Sequence, residues 1–292
     1  MRIIKVFPRK TRATPNDYMV RINEMPGMLD EADEVHISVS FTWDKSKAEI
    51  LAKRWEQVAP VKIGGPAYND PGSEFEPGMY LKPGYVITSR GCPNRCWFCM
   101  AWRNEGNTMR ELRIKNGYNV LDNNLLACSR KHQEKVFEML LHQKEKATFT
   151  GGFEAARFTD WHAEWLIKLK LPQTYFAYDT PDDWEPLIVA SKILKKYNLI
   201  KKTLNIIRCY VLIGYPKDTI EKADFRLNNV LKLGFMPFAM LYNHGAGKND
   251  KVEWIKFCKT WVSQKIVGAK MNLIYQAKRE EDRLEKFKKY LI

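Results

Sequence analysis

Tyr85-Val86-Ile87-Thr88-Ser89-Arg90-Gly91-Cys92-Pro93-Asn94-Arg95-Cys96-Trp97-Phe98-Cys99-Met100 is the stretch that decides how this chain is read. An apolar run, expected as a strand over Val86–Ser89, leads directly into a C-x3-C-x2-C triplet, so three thiols fall within eight residues. A structural zinc site closes with four protein ligands, and ferredoxin-type clusters take four cysteines at other spacings. Three thiolates on a four-iron cluster instead leave one iron open to an exogenous ligand, which suits catalysis. Two other readings of the loop stay open: a zinc knuckle completed by Cys128 or a histidine, and a set of structural thiols with no shared ligand.

Outward from the loop, strands and helices alternate. Further strands are expected over Asn119–Asp122, Thr148–Thr150, Thr174–Tyr178, Ile206–Gly214 and Pro237–Tyr242, with helices over Arg130–Lys144, Asp160–Leu169, Trp184–Tyr197 and Thr219–Leu233. Six strands with helices between them predict a partial (βα)6 barrel over 85–243. Ligands of such a barrel gather where the carboxyl ends of the strands meet the following loops, and the cysteine loop falls on that side.

Residues 1–65 read as a small α/β unit. Strands are expected at Arg2–Phe7, Glu34–Phe41 and Pro60–Gly64, with a helix from Lys45 to Val58 whose apolar face is Ala48, Ile50, Leu51, Ala52 and Trp55 and whose N-cap is Asp44. Strand, helix and strand in that order suit a parallel βαβ unit. The turn-rich stretch 66–84 reads as a linker, and 244–292 as a helical C-terminal extension.

Composition sets the outer limits. Hydrophobic residues make up 45% and aromatic residues 12% of the 292, enough for a packed core. No run approaches the ~18 apolar residues of a membrane span, and the first residues lack a signal-peptide pattern. Six cysteines without a secretory signal argue for thiols or a metal site in a reducing compartment, so cytoplasm is the expected location. The net charge is +14, and between Pro186 and Lys217 there is no acidic residue while Lys192, Lys195, Lys196, Lys201, Lys202 and Arg208 all occur. Such an excess is compatible with a nucleic-acid substrate and equally with a solvated basic surface.

The C-x3-C-x2-C loop, with Phe98 just before its last cysteine, resembles the cluster loop of the radical S-adenosylmethionine (radical SAM) superfamily. The resemblance implies that Cys92, Cys96 and Cys99 hold a [4Fe–4S] cluster, and that the open iron takes the amine and carboxylate of SAM. Reduction then releases a 5′-deoxyadenosyl radical that abstracts hydrogen from a substrate. It also implies an external reductant such as a flavodoxin or ferredoxin. Residues 85–243 match the superfamily's core order.

The strand ends then supply candidate SAM contacts. Asp122 and Asn123, in Val120-Leu121-Asp122-Asn123-Asn124, stand where many members carry Gly-Gly-Glu. They resemble the Asp-Asp-Asn type of the cobalamin-binding-domain subclass, and either would accept from the SAM amine, or form an Asx turn. Gly151 and Gly152 would let backbone approach a ligand, with Glu154 and Arg157 projecting nearby or pairing at the surface. Asp179 would bond the SAM ribose, or else Asp179, Thr180, Asp182 or Asp183 caps the next helix. Ile213-Gly214-Tyr215-Pro216 resembles the fifth-strand motif near adenine. Arg208, sharing a face with Tyr210 and Leu212, is expected toward the lumen, and Met240 and Tyr242 would complete the adenine wall.

Residues 1–65 resemble a cut-down cobalamin-binding Rossmann unit, but His36 is followed by Ile-Ser-Val and not by a glycine three residues on. Cobalamin is therefore not expected. As a whole the chain resembles radical SAM proteins carried by bacteriophage and prophage genomes, which implies a chemistry and not a substrate. The cationic excess makes nucleic acid or nucleotide the first substrate expectation. A zinc-stabilised nucleic-acid-binding module is the alternative from another class, and an iron–sulfur electron carrier is a further one.

Overall fold

The computed structural model describes residues 1–68, 75–170, 173–200, 206–242, 251–263, 265–274, 276–277 and 280. The chain divides into two compact units, 1–151 and 152–292. It is a mixed α/β protein with parallel sheets.

The first unit opens with β1 (Ile3–Phe7), β2 (Val20–Ile22), β3 (Glu34–Ser38), α1 (Lys45–Trp55) and β4 (Val61–Gly64). The four strands form a parallel sheet in the order β2-β1-β3-β4. Alternation puts Ile4, Val6, Val35 and Ile37 into a core that α1 closes with Ala48, Leu51 and the fully buried Trp55. The expected βαβ unit is β3-α1-β4, and β2 is an added edge strand. Two details differ from expectation. Ile50 is 56% exposed, because it lies off the Ala48-Leu51-Trp55 stripe. Asp44 makes no capping bond, because Arg9 takes both of its oxygens at 2.8 Å.

The same unit continues with β5 (Tyr85–Val86), β6 (Ser89–Arg90), α2 (Ala101–Glu105), β7 (Arg110–Glu111), β8 (Asn119–Val120), α3 (Arg130–Leu141) and β9 (Thr148–Phe149). Strands β5, β8 and β9 are parallel neighbours in that order. The first expected strand is shorter than its apolar run: pairing stops at Val86, and Ser89-Arg90 turns away into an antiparallel ladder with β7. That ladder and α2 bracket the cysteine loop.

The second unit holds α4 (Asp160–Lys168), β10 (Gln173–Tyr178), α5 (Trp184–Lys196), β11 (Ile207–Ile213), α6 (Ile220–Leu233), β12 (Met236–Leu241) and α7 (Lys251–Val262), and residues 265–274 are helical. Strands β10, β11 and β12 are parallel neighbours. Helix α6 shows the local logic. Thr219 Oγ1 accepts from Lys222 N at 3.3 Å, Ala223, Leu227, Val230 and Leu231 bury one face, and Gly234 ends the helix at φ 99°. A Cβ at Gly234 would lie 2.7 Å from Ile200 Cγ2. Among the described residues neither unit by itself contains a barrel. Lys201 and Lys202, and much of the expected C-terminal extension 244–292, lie outside the described residues.

Candidate metal centre and strand-end sites

The cysteine loop is held by the segment just after β8, residue against residue. Asp122, 2% exposed, accepts from Thr88 N at 2.6 Å, Thr88 Oγ1 at 2.5 Å and Ser89 Oγ at 2.8 Å. Leu121 O accepts from Arg90 Nη1 at 3.2 Å, and Asn123 Oδ1 accepts from Gly91 N at 3.2 Å. Asn124 Nδ2 donates to Cys92 Sγ at 3.6 Å. Positions 88 to 92 are therefore each tied to a residue between 121 and 124. Asp122 spends its carboxylate on the chain entering the loop, and Asn123 acts on the loop backbone; neither is an Asx turn of its own strand end.

Two glycines make this close approach sterically feasible. A Cβ at Gly151 would lie 2.0 Å from Asp122 O, and one at Gly91 2.2 Å from Thr108 O, with Gly91 at φ 89°. Gly151 therefore packs against the strand end that holds the loop. Burial pulls the Arg90 guanidinium below its ordinary value, although Glu105 draws it the other way. Arg90 and Arg110 flank the buried Glu105 at 3.5 and 3.3 Å.

Cys92, Cys96 and Cys99 take part in no disulfide, and each is half-buried. Cys92 N donates to Gly106 O, Cys99 N to Cys96 O, and Trp102 Nε1 to Cys96 O, so α2 folds back on the loop. Ala101 N donates to Cys99 Sγ at 3.4 Å. Phe98 is half-buried and meets Trp97 edge-on at 5.4 Å. Among the described residues no three His, Cys, Asp or Glu side chains gather as ligands of one metal ion. Four sulfurs around a zinc at ~2.3 Å would sit roughly 4 Å apart, whereas thiolates on separate irons of a sulfide-bridged core stand further apart. Three thiols on one loop, two of them accepting N–H···S bonds, fit a thiolate-ligated cluster. Cys128 does not fit as a further thiolate: it is buried, and burial pushes its thiol up to about 12.

The second unit carries the remaining candidates. Gly152 has φ 85°. Glu154 Oε2 accepts from Arg157 Nε at 2.7 Å, so these two pair with each other. Asp179 lies just past β10 and accepts from Leu212 N on the neighbouring strand at 3.1 Å. The capping belongs instead to Thr180 and Asp183, which form a capping box in which Asp183 Oδ2 accepts from Thr180 N and also from Asp179 N. Burial, and next the Asp183 charge, push the Asp179 carboxyl up to about 7.

Arg208 lies at the amino end of β11, not the carboxyl end. Its Nη1 donates to Tyr175 Oη at 3.3 Å, on a face where Tyr175 and Tyr210 stack at 4.6 Å. Gly214, at φ 70°, ends β11 and donates to Asp218 Oδ2 at 2.9 Å. Asp218 is also bound through both oxygens by the buried Arg226. Met240 is 43% exposed at the end of β12.

Sequence reasoning missed Thr88, Ser89, Asn124, Glu105, Asp218 and Arg226. Asn124 was accessible in principle as the third polar residue of a strand-end run. Thr88 and Ser89 act through Asp122, 34 and 33 positions away, and Glu105, Asp218 and Arg226 through ion pairs that no strand or helix pattern singles out.

No protein-family model and no curated protein matches this chain.

Asp122→Ala strands three buried donors, each worth about 1–3 kcal/mol, so the urea midpoint should fall clearly, and Asp122→Asn should cost less; unchanged midpoints would contradict the clamp. For Asp179 the native state holds a proton that the unfolded chain releases between the usual 3.8 and about 7. Its contribution therefore lowers stability as pH rises through that window. Thermal melts from pH 5 to 8 should show Asp179→Asn gaining on the wild type as pH rises, whereas parallel profiles would refute the raised carboxyl.

Proposed function

We propose that this chain is a radical SAM enzyme in which Cys92, Cys96 and Cys99 ligate a [4Fe–4S] cluster and S-adenosylmethionine takes the open iron. The observation that carries the proposal is the C-x3-C-x2-C triplet: three half-buried thiols, none in a disulfide, on one loop whose approach is tied at every position from Thr88 to Cys92. A partial (βα)6 barrel belongs to the same proposal. It is supported by six parallel-paired strands in the expected sequence order, with α3 to α6 between the later ones.

When bound, the cluster would supply the electron that breaks a carbon–sulfur bond of SAM, with hydrogen then taken from the substrate. The residues of this chain position and protect. Asp122, Asn123 and Asn124 hold the loop, and Asn124 and Ala101 donate N–H bonds to sulfur. Asp179, pushed up to about 7 by burial, would be partly protonated near neutral pH and able to donate as well as accept toward a ribose. Gly151 lets the strand end that holds the loop pack closely, because Asp122 O takes the place of its Cβ.

The substrate proposed first is nucleic acid or nucleotide, because the net charge is +14 and lysines concentrate in the second half of the chain. A flavodoxin or ferredoxin would be the electron donor, and cobalamin is not part of the proposal. A cytoplasmic setting is in keeping with six cysteines none of which is in a disulfide. No helix among the described residues is long and apolar enough to cross a membrane. Against the zinc-stabilised binding module stands Cys128, whose buried thiol resists ionisation.

The test is anaerobic reconstitution, then addition of dithionite and SAM. Wild type should form 5′-deoxyadenosine, and Cys96→Ala should lose it to background. A colourless, zinc-loaded and inert protein would overturn the reading in favour of the binding module.

A further inference from the structure

Two loops meet past the carboxyl ends of β1 and β3 in the first unit. Pro8-Arg9-Lys10-Thr11-Arg12 leaves β1, and Phe41-Thr42-Trp43-Asp44 leads from β3 into α1. Arg9 joins them, donating from Nε and Nη2 to the two oxygens of Asp44 at 2.8 Å. This bidentate pair fixes the first loop beside the residue that follows Trp43.

Trp43 is 57% exposed, although tryptophan is on average a well-buried side chain. Its ring lies on that of the half-buried Phe41, with centroids 4.7 Å apart and planes 12° from parallel. One face of the indole is therefore covered, and the other is left to solvent. The pair adds nothing to the core of the sheet, which α1 closes with Ala48, Leu51 and Trp55.

The surroundings are cationic. The two loops and the start of α1 supply Arg9, Lys10, Arg12, Lys45 and Lys47 against Asp44 and Glu49, which leaves three positive charges over. Arg9, and more weakly Lys47, hold the Asp44 carboxyl below its ordinary value. Lys10 and Arg12 are exposed, and neither meets a carboxylate among the described residues. Asp17 lies 2.7 Å from Lys5 and Glu76 3.6 Å from Lys115, so each of these acids has its own cation. An excess of cations around an open aromatic face suits a single strand, whose phosphates meet the cations while an unpaired base stacks.

We propose that Trp43, stacked on Phe41 and flanked by Arg9, Lys10, Arg12 and Lys47, is a docking surface for single-stranded nucleic acid. It rests on the preceding reading only in taking nucleic acid as the substrate, and it requires neither iron nor SAM.

The experiment follows the fluorescence anisotropy of labelled oligothymidylate, and of an abasic strand of the same length, titrated with the full-length chain. Saturable binding of oligothymidylate that weakens with added salt is expected, with the abasic strand binding less tightly. Trp43→Ala should weaken oligothymidylate binding about fivefold or more at an unchanged melting temperature, and Trp43→Phe should retain most of the affinity. Lys10→Gln combined with Arg12→Gln should flatten the salt dependence. No saturable binding, equal binding of the abasic strand, or undiminished affinity in Trp43→Ala would each overturn the proposal. Oligothymidylate binding without 5′-deoxyadenosine formation would sink the enzyme reading alone, and the reverse result would sink the docking surface alone.

Discussion

Asp122 is the hinge of the arrangement around the cysteines. A carboxylate at 2% exposure is costly unless its oxygens are matched by donors, and here Thr88 and Ser89 supply three. The bond to Thr88 N is a backbone contact, so it fixes the path of the main chain and not only a rotamer. With Thr88 and Ser89 pinned, Arg90 reaches Leu121 O, Gly91 reaches Asn123 and Cys92 reaches Asn124. The loop that carries all three thiols thus starts from a rigid edge, although its own residues are half-exposed. Preorganisation of this kind lets ligands on a loop hold a defined geometry.

The glycines belong to the same constraint. Gly151 must lack a side chain because Asp122 O occupies the place a Cβ would take, and Gly91 must lack one because of Thr108 O. In the second unit a similar device fixes the end of β11. Asp218, bound through both oxygens by Arg226, holds Gly214 N, and Arg226 also donates to Leu212 O. Asp179 meets the same strand at Leu212 N. In each unit, then, a buried carboxylate stitches a strand to its neighbouring segment where the chain turns away from the sheet.

Much of the fold was legible because its signals are local. The runs at Thr174–Tyr178 and Ile206–Gly214 are rich in β-branched and aromatic residues and stop at Asp179 and Gly214, and the strands fall within a residue of those limits. The stripe Ala48-Leu51-Trp55 and the caps Thr219 and Gly234 mark their helices equally well. Short elements outside an apolar run were not legible, whereas the two-residue strands β5, β8 and β9 lie within expected strands. Strand β2 has three residues in a polar stretch, and β6 and β7 have two each, stabilised by pairing across a loop of nearly twenty residues. Asp44 looked like a cap because its competitor, Arg9, lies 35 positions away. The three cysteines stood out by spacing alone, whereas the residues that hold their loop are 31 to 34 positions away and emerge only in three dimensions.

The central claim is that the three thiols carry a four-iron cluster with one open site. The most direct measurement is iron and sulfide analysis of the anaerobically reconstituted chain, then electron paramagnetic resonance of the reduced protein with and without SAM. The account predicts about four iron and about four sulfide per chain, and a reduced-cluster signal that shifts when SAM is added. A chain that retains a single zinc in place of iron, or a cluster signal indifferent to SAM, would contradict it.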